Sequence, residues 1–217
     1  MSDDPETVRQ IAELAPGDRP LLVLDVDEVV LEFVRPFVKF LETQDLLLKT
    51  DSFRIHGNVF DRSTRLPVQD QRVTTLMTAF FEAQETWQTA VDGAAAAVAE
   101  LAAAVEVVML SSMPHGHRPL RRRLLDRLGF PYPLLTTEAA KGPAIQRMRG
   151  GGGRPVAFVD DIPNNLLSVQ RAVPDARLFH LMAHSELRAL LLPLPEGIVA
   201  VSGWREAGPL IAKALKR

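Results

Sequence analysis

Cysteine is absent from the 217-residue chain. That excludes a disulfide framework, a cysteine nucleophile and any thiolate-bound zinc or iron–sulfur centre, and it fits a reducing compartment. Long apolar runs are missing too: none approaches the roughly 18 residues that suggest a membrane span. Charge of one sign is also lacking. The net charge is −2, which argues against bulk nucleic-acid binding through a basic surface. The N-terminal MSDDPETVRQ is acidic and polar, unlike a secretory leader, so a cytoplasmic location is the expectation. With 47% hydrophobic and 24% charged residues, the composition is that of a globular domain.

The stretch that organises the chain is Pro20 to Val30, PLLVLDVDEVV. The apolar run Leu21 to Leu24 reads as a strand buried on both faces, and it ends in Asp25, Asp27 and Glu28. In open α/β sheets the ligand crevice lies outside the carboxyl ends of the strands, so these acids would stand where chemistry is done. The theme recurs. Residues 105–110, VEVVML, run into Ser111 and Ser112, and residues 156–159, VAFV, run into Asp160 and Asp161. Repeated strand–helix alternation predicts an α/β, Rossmann-like, three-layer parallel sheet.

Helices are expected over residues 4–14, with Asp3 or Asp4 as N-cap, and over 30–48, 70–87, 94–104 and 119–128. Others are expected over 141–148, after Pro163, over 185–191 and over 205–215, with strands at 134–136, 176–179 and 198–201. Residues 52–68 look irregular and strand-like around a Gly57-Asn58 turn. A strand–helix–strand crossover needs only a dozen or more residues, so the excess length after the first strand predicts an insertion. The expected division is a core of residues 1–30 and 91–217 with a mainly helical cap at 31–90.

Parallel topology would bring the three polar strand ends to one edge. Four or five carboxylates in one crevice repel each other unless a cation sits among them, and an all-oxygen site with open positions suits Mg²⁺. Lys141, at the start of a helix, would add a fixed positive charge. A carboxylate nucleophile, a second carboxyl two residues on, a hydroxyl, a lysine and a metal are the parts required for phosphoryl transfer through an aspartyl-phosphate.

On these motifs the chain resembles the haloacid dehalogenase superfamily: Asp25-Val26-Asp27-Glu28-Val29 first, Ser111 after VEVVML second, Lys141 third, and Asp160-Asp161 fourth. The resemblance implies that Asp25 attacks phosphorus and that Asp27 protonates the leaving oxygen and later deprotonates water. It implies that Ser111, or Ser112, and Lys141 hold the phosphoryl oxygens. Mg²⁺ would be bound by Asp25, the Asp27 carbonyl and Asp161, with Asp160 behind or in its place. The expected activity is a Mg²⁺-dependent phosphomonoesterase acting on a small phosphorylated metabolite, a nucleotide among the candidates, since DEVVLEFVRPFVKFL is loosely similar to deoxyribonucleotidase-like members. A phosphotransferase or mutase, and a catalytically idle phospho-ligand-binding protein, are the alternatives.

Glu28 stands where many members of that superfamily have Gly, and would face the site or the cap. Arg54 and His56, with Asn58 and Arg62, are candidate specificity residues because caps close over the crevice. His115 and His117 read as loop or substrate contacts. The arginines at 118–127 read as the solvated face of an amphipathic helix. Between Arg118 and Arg149 eight basic residues face only Asp126 and Glu138, a local excess that could steer an anionic substrate. The Gly150 to Gly153 run lacks the lysine and hydroxyl of a P-loop and reads as a spacer.

Overall fold

The computed structural model describes residues 4–52 and 54–216, so Asp3 and Phe53 lie outside it. In chain order the elements begin with α1 (Pro5–Ala12), β1 (Leu21–Leu24), α2 (Val34–Glu42), β2 (Leu46–Leu48), β3 (Val59–Asp61), α3 (Asp70–Glu82) and α4 (Gln84–Trp87). There follow α5 (Ala94–Ala102), β4 (Glu106–Ser111), α6 (Arg118–Arg127), β5 (Leu134–Thr136), α7 (Lys141–Arg149) and β6 (Val156–Asp160). The chain closes with α8 (Pro163–Ala172), β7 (Arg177–Leu181), α9 (Ser185–Ala189), β8 (Ile198–Val201) and α10 (Trp204–Leu215). No helix among the described residues is long and apolar enough to cross a membrane.

Six strands form one parallel sheet in the order β5-β4-β1-β6-β7-β8. The chain leaves β1 through β4 and β5 on one side, then crosses back to β6 on the other, so the order reverses at β1. All four residues of β1 are fully buried, as a strand covered on both faces requires. Its alternating side chains feed two cores. Leu22 and Leu24 join Val98 and Leu101 of α5, Leu124 of α6 and Ile211 of α10. Leu21 and Val23 join Ile145 of α7, Leu166 and Val169 of α8 and, at the margin, Ile11 of α1. The α/β class expected from the alternation is therefore what the chain forms.

Between β1 and β4 the chain builds a third cluster from Phe37, Phe40 and Leu41 of α2, Val59 of β3, and Val73, Phe80 and Phe81 of α3. The Phe80 ring meets Phe33, Phe37 and Phe40 edge-on at centroid distances of 5.4, 5.2 and 5.6 Å. Met113, Met182 and Leu187 complete the cluster from the sheet edge below. Entry and exit run side by side: Leu31 bridges Ala90, and Glu32 N donates to Thr89 O at 2.9 Å.

Two helices differ from expectation. The helix expected over 30–48 is only α2. Thr43 to Asp45 turn the chain, with Asp45 in the left-handed region at φ 55°, and Leu46 to Leu48 pair antiparallel with Val59 to Asp61. The leucines that continued the apolar pattern thus serve a strand. Pro36 is tolerated because it falls in the first helical turn, where its missing N–H has no helical acceptor to lose. The helix expected over 70–87 breaks at Ala83 into α3 and α4.

Glu28 ties the start of α2 to the loop after β7. Its φ is 62°, a region glycine enters freely and other residues rarely. The side chain offsets that strain with three backbone hydrogen bonds. Oε1 accepts from Phe33 N and Val34 N at 2.9 and 2.8 Å, capping the start of α2, and Oε2 accepts from His184 N at 2.7 Å. A carboxylate at a helix start also meets the positive end of the helix dipole. Glu28 borders the crevice, as expected, but its charge is spent on backbone N–H groups. Glu28→Gln keeps the backbone strain and spoils the acceptors, so it should lower stability by about 2 kcal/mol. A denaturant midpoint unchanged from the parent would contradict that role.

Candidate active site

Sheet register sets the site. Leu24 lies level with Met109 on one side and Val159 on the other, so the next residues, Asp25 and Asp160, arrive together, and Asp25 N donates to Val159 O at 2.9 Å. Ser111 ends β4 beside them. Carboxylate oxygens of Asp25, Asp160 and Asp161 lie within 4.8 Å of one another, and all three residues are buried.

Lys141 opens α7 and is 1% exposed, its ammonium donating to Asp25 Oδ1 and, at 2.7 Å, to Asp160 Oδ2. It reaches them because α7 lies against α8 at Gly142. A Cβ there would stand 2.2 Å from the Ser168 carbonyl oxygen, so glycine is required by the close approach. Asp160 is saturated: Oδ1 also accepts from Ile162 N at 2.8 Å and Asn165 Nδ2 at 3.0 Å. Asp161 is held by its backbone, whose carbonyl accepts from His180 Nε2 at 2.7 Å. Among the described residues its carboxylate has no recorded hydrogen bond.

Burial is the main force on these groups. It pushes Asp25 up to about 7, helped by Asp160 and Asp27 and opposed by Lys141. It also drives Asp161 well above the usual carboxylate range, with the charges of Asp160, Asp25 and Glu28 adding. For Lys141, burial opposes the charge, but Asp160 and Asp25 outweigh it and raise the pKa. Three carboxylates around one ammonium leave an excess of negative charge in a dry place. A hard divalent cation with oxygen ligands fits that donor set, and Asp25 and Asp161 are the carboxylates with capacity to spare.

Asp27 stands apart from this cluster. Its Oδ1 accepts from Gln88 Nε2 at 2.8 Å and from Arg121 Nη1 at 2.9 Å. Arg121 is fully buried, which corrects its assignment to a solvated arginine face: α6 buries Arg121 together with Leu124 and Leu125. The basic excess is likewise spent locally. Arg118 and Arg122 donate to the carbonyls of Leu134 and Tyr132, Arg123 and Arg127 pair with Glu85, and Arg149 pairs with Asp175.

A cavity of about 510 Å³ opens over the cluster. Asp25, Asp27, Asp161 and Ser112 line its floor, and Phe33, Met77, Phe81, Met113 and Met182 are among its apolar walls. Arg54 and His56 line it too, and His56 Nε2 lies 3.0 Å from Thr74 Oγ1. Ser111 is buried, its Oγ accepting from Met113 N at 3.1 Å, whereas Ser112 is exposed to the cavity. Asn58 instead ties its own loop to Ser52 and Arg54, and Arg62 pairs with Glu42. His115 bridges Thr136 and Asp4, and His117 packs on Phe81. The sequence reading missed Gln84, Gln88, Arg121, Asn165 and His180. Only Asn165, five residues after Asp160, carried a local signal.

No protein-family model matches the chain, and no curated protein matches it. Solved structures do. A haloacid dehalogenase (HAD) family hydrolase from Deinococcus radiodurans R1, with bound phosphate and sodium, is 20% identical over 92% of this chain and 97% of its own, with a TM-score of 0.58. A haloacid dehalogenase-like family protein from Streptococcus pneumoniae is 8% identical over 90% and 98%, with a TM-score of 0.59. D,D-heptose 1.7-bisphosphate phosphatase from B. bronchiseptica, complexed with magnesium and phosphate, is 14% identical over 89% and 98%, with a TM-score of 0.52. At such identities the likeness establishes the fold, which is that of haloacid dehalogenase-like hydrolases.

The raised Asp25 and Asp161 set a pH dependence. An acid whose folded pKa exceeds its unfolded value near 3.8 binds more protons folded than unfolded in between, so stability falls as pH rises through that window. In EDTA the thermal midpoint should drop between about pH 5 and about pH 8, and Mg²⁺ should remove the drop by taking the ionised carboxylates. A midpoint that rises with pH in EDTA would contradict this electrostatic account.

Proposed function

We propose that this chain is a divalent-cation-dependent phosphomonoester hydrolase that works through a phosphorylated Asp25. The observation that carries the reading is the buried cluster of Asp25, Asp160 and Asp161 with Lys141, of which Asp25 and Asp161 line the floor of a cavity. Mg²⁺ bound by Asp25, Asp161 and the Asp27 carbonyl would supply the charge that keeps these carboxylates ionised together and offsets the charge on the phosphoryl oxygens.

The chain's own groups take the remaining work. Asp25 Oδ attacks phosphorus in line, and the ester P–O bond breaks. Asp27 gives the leaving oxygen its proton, then takes one from the water that cleaves the acyl phosphate. Lys141, fixed by Asp160, and the Ser111 or Ser112 hydroxyl hold the phosphoryl oxygens. An alkoxide needs that proton, which favours ester hydrolysis over dehalogenation.

Residues 31–90 would act as a cap on a core of 1–30 and 91–217, enclosing the organic part of the ester. Phe33, Met77, Phe81 and Met182 offer it apolar contact, with Arg54 and His56 beside them for polar or anionic groups. A small phosphorylated metabolite combining both surfaces, a nucleotide among them, suits such a chamber.

The test is phosphate release from a panel of phosphomonoesters in Mg²⁺ and in EDTA. Turnover should require Mg²⁺, and Asp25→Asn should lower it by about 10³-fold or more. Phosphate passed to an added alcohol rather than released would move the reading to a phosphotransferase. Mg²⁺-dependent ligand binding without turnover would leave an idle binding protein.

A further inference from the structure

We infer that Arg121, held by Gln84 and Gln88, is a positioning residue that sets the Asp27 carboxylate for proton transfer to the leaving group. The inference rests on the hydrolase reading above. A fully buried guanidinium is costly unless every face of it is satisfied. Here each guanidinium nitrogen has a partner: Nε donates to Gln84 Oε1 at 2.5 Å, Nη2 to Gln88 Oε1 at 3.0 Å, and Nη1 to Asp27 Oδ1 at 2.9 Å. Asp27 is its only anionic partner among the described residues.

The arrangement also distinguishes the two oxygens of Asp27. Oδ1 receives both Arg121 Nη1 and Gln88 Nε2, and Gln88 is itself fixed by donating to the Glu32 carbonyl at 2.9 Å. Two N–H donors thus meet one carboxylate oxygen, which has two lone pairs to offer them. Oδ2 is therefore the oxygen left to pass a proton to the leaving group, on a side chain that lines the cavity and is 23% exposed. As Asp25 bonds to phosphorus and the ester bond breaks, that proton passes to the leaving oxygen, and the carboxylate left behind is stabilised by the guanidinium.

Gln84 and Gln88 lie in and just after α4, at the end of the insertion, whereas Arg121 comes from α6 beneath the sheet edge. The proton donor is thus oriented from both sides of the junction. A merely structural ion pair would need neither a guanidinium held by Gln84 nor a second glutamine, Gln88, that binds both Arg121 and the same Asp27 oxygen.

The experiment compares kcat/KM for an alkyl phosphate, whose alkoxide needs a proton, with para-nitrophenyl phosphate, whose phenolate leaves without one. In Arg121→Met the loss on the alkyl ester should exceed the loss on the nitrophenyl ester by about tenfold or more, within the range that general acids contribute. Both numbers come from one preparation, so their ratio is unaffected by the fraction folded. Arg121→Lys keeps the charge without the fork and should recover part of the alkyl-ester loss. Equal losses on the two esters would overturn the positioning role and leave the hydrolase reading intact. A native protein that releases phosphate from neither ester would overturn both.

Discussion

Three buried carboxylates stand beside one ammonium that pairs with only two of them, and most of the molecule serves to hold that imbalance. Like charges in a dry crevice repel by several kcal/mol unless countered, so each must be fixed against its tendency to move apart or take up protons. Sheet register delivers Asp25 and Asp160 side by side. Lys141 reaches both only because Gly142 lets α7 settle on the backbone of α8. Asn165 and the Ile162 amide saturate Asp160, and neutral His180, its pKa lowered by burial, anchors the Asp161 carbonyl. The folded chain thus concentrates on Asp25 and Asp161 a negative charge that burial makes costly.

The segment from α2 to α4 is joined to this centre by polar links of opposite sign. Glu28 ends one of them, binding the first amides of α2 and the amide of His184. Arg121 ends the other, binding Gln84, Gln88 and Asp27. Between the two lies the phenylalanine cluster, which rests on Met113, Met182 and Leu187 at the sheet edge. Because the cavity is the gap between that cluster and the carboxylates, the hydrophobic packing of residues from α2 and α3 sets its size. A glutamate in the left-handed region is an unfavourable choice by itself. Here it is offset by three hydrogen bonds that a glycine could not make.

Much of the architecture is legible in the residue pattern. Leu21 to Leu24, residues 105–110 and 156–159 announced buried strands through continuous apolar runs, and their ends exposed Asp25, Asp27, Ser111, Asp160 and Asp161 as one edge. Gly129 and Pro163 marked helix limits as the local rules require. The pattern failed where a contact distant in sequence competed with local preference. Leu46 to Leu48 continue a helical apolar pattern, yet pairing with Val59 to Asp61 makes them a strand. Arg121 sits among arginines that look solvated, yet residues 33 and 37 positions earlier, Gln88 and Gln84, and Asp27, 94 positions earlier, draw it inside.

By itself, then, the sequence determined the alternating α/β architecture, the polar strand ends and the identity of the groups gathered there. Periodicity and strand termination are local properties that each residue carries with its immediate neighbours. Only the tertiary structure decided which carboxylates cluster and which stands apart, that Ser112 rather than Ser111 faces the cavity, and that Glu28 and Arg121 are anchors. Those outcomes depend on desolvation and on hydrogen-bond partners brought together from across the chain. The demand that every buried charge find a partner acts only once the chain has folded.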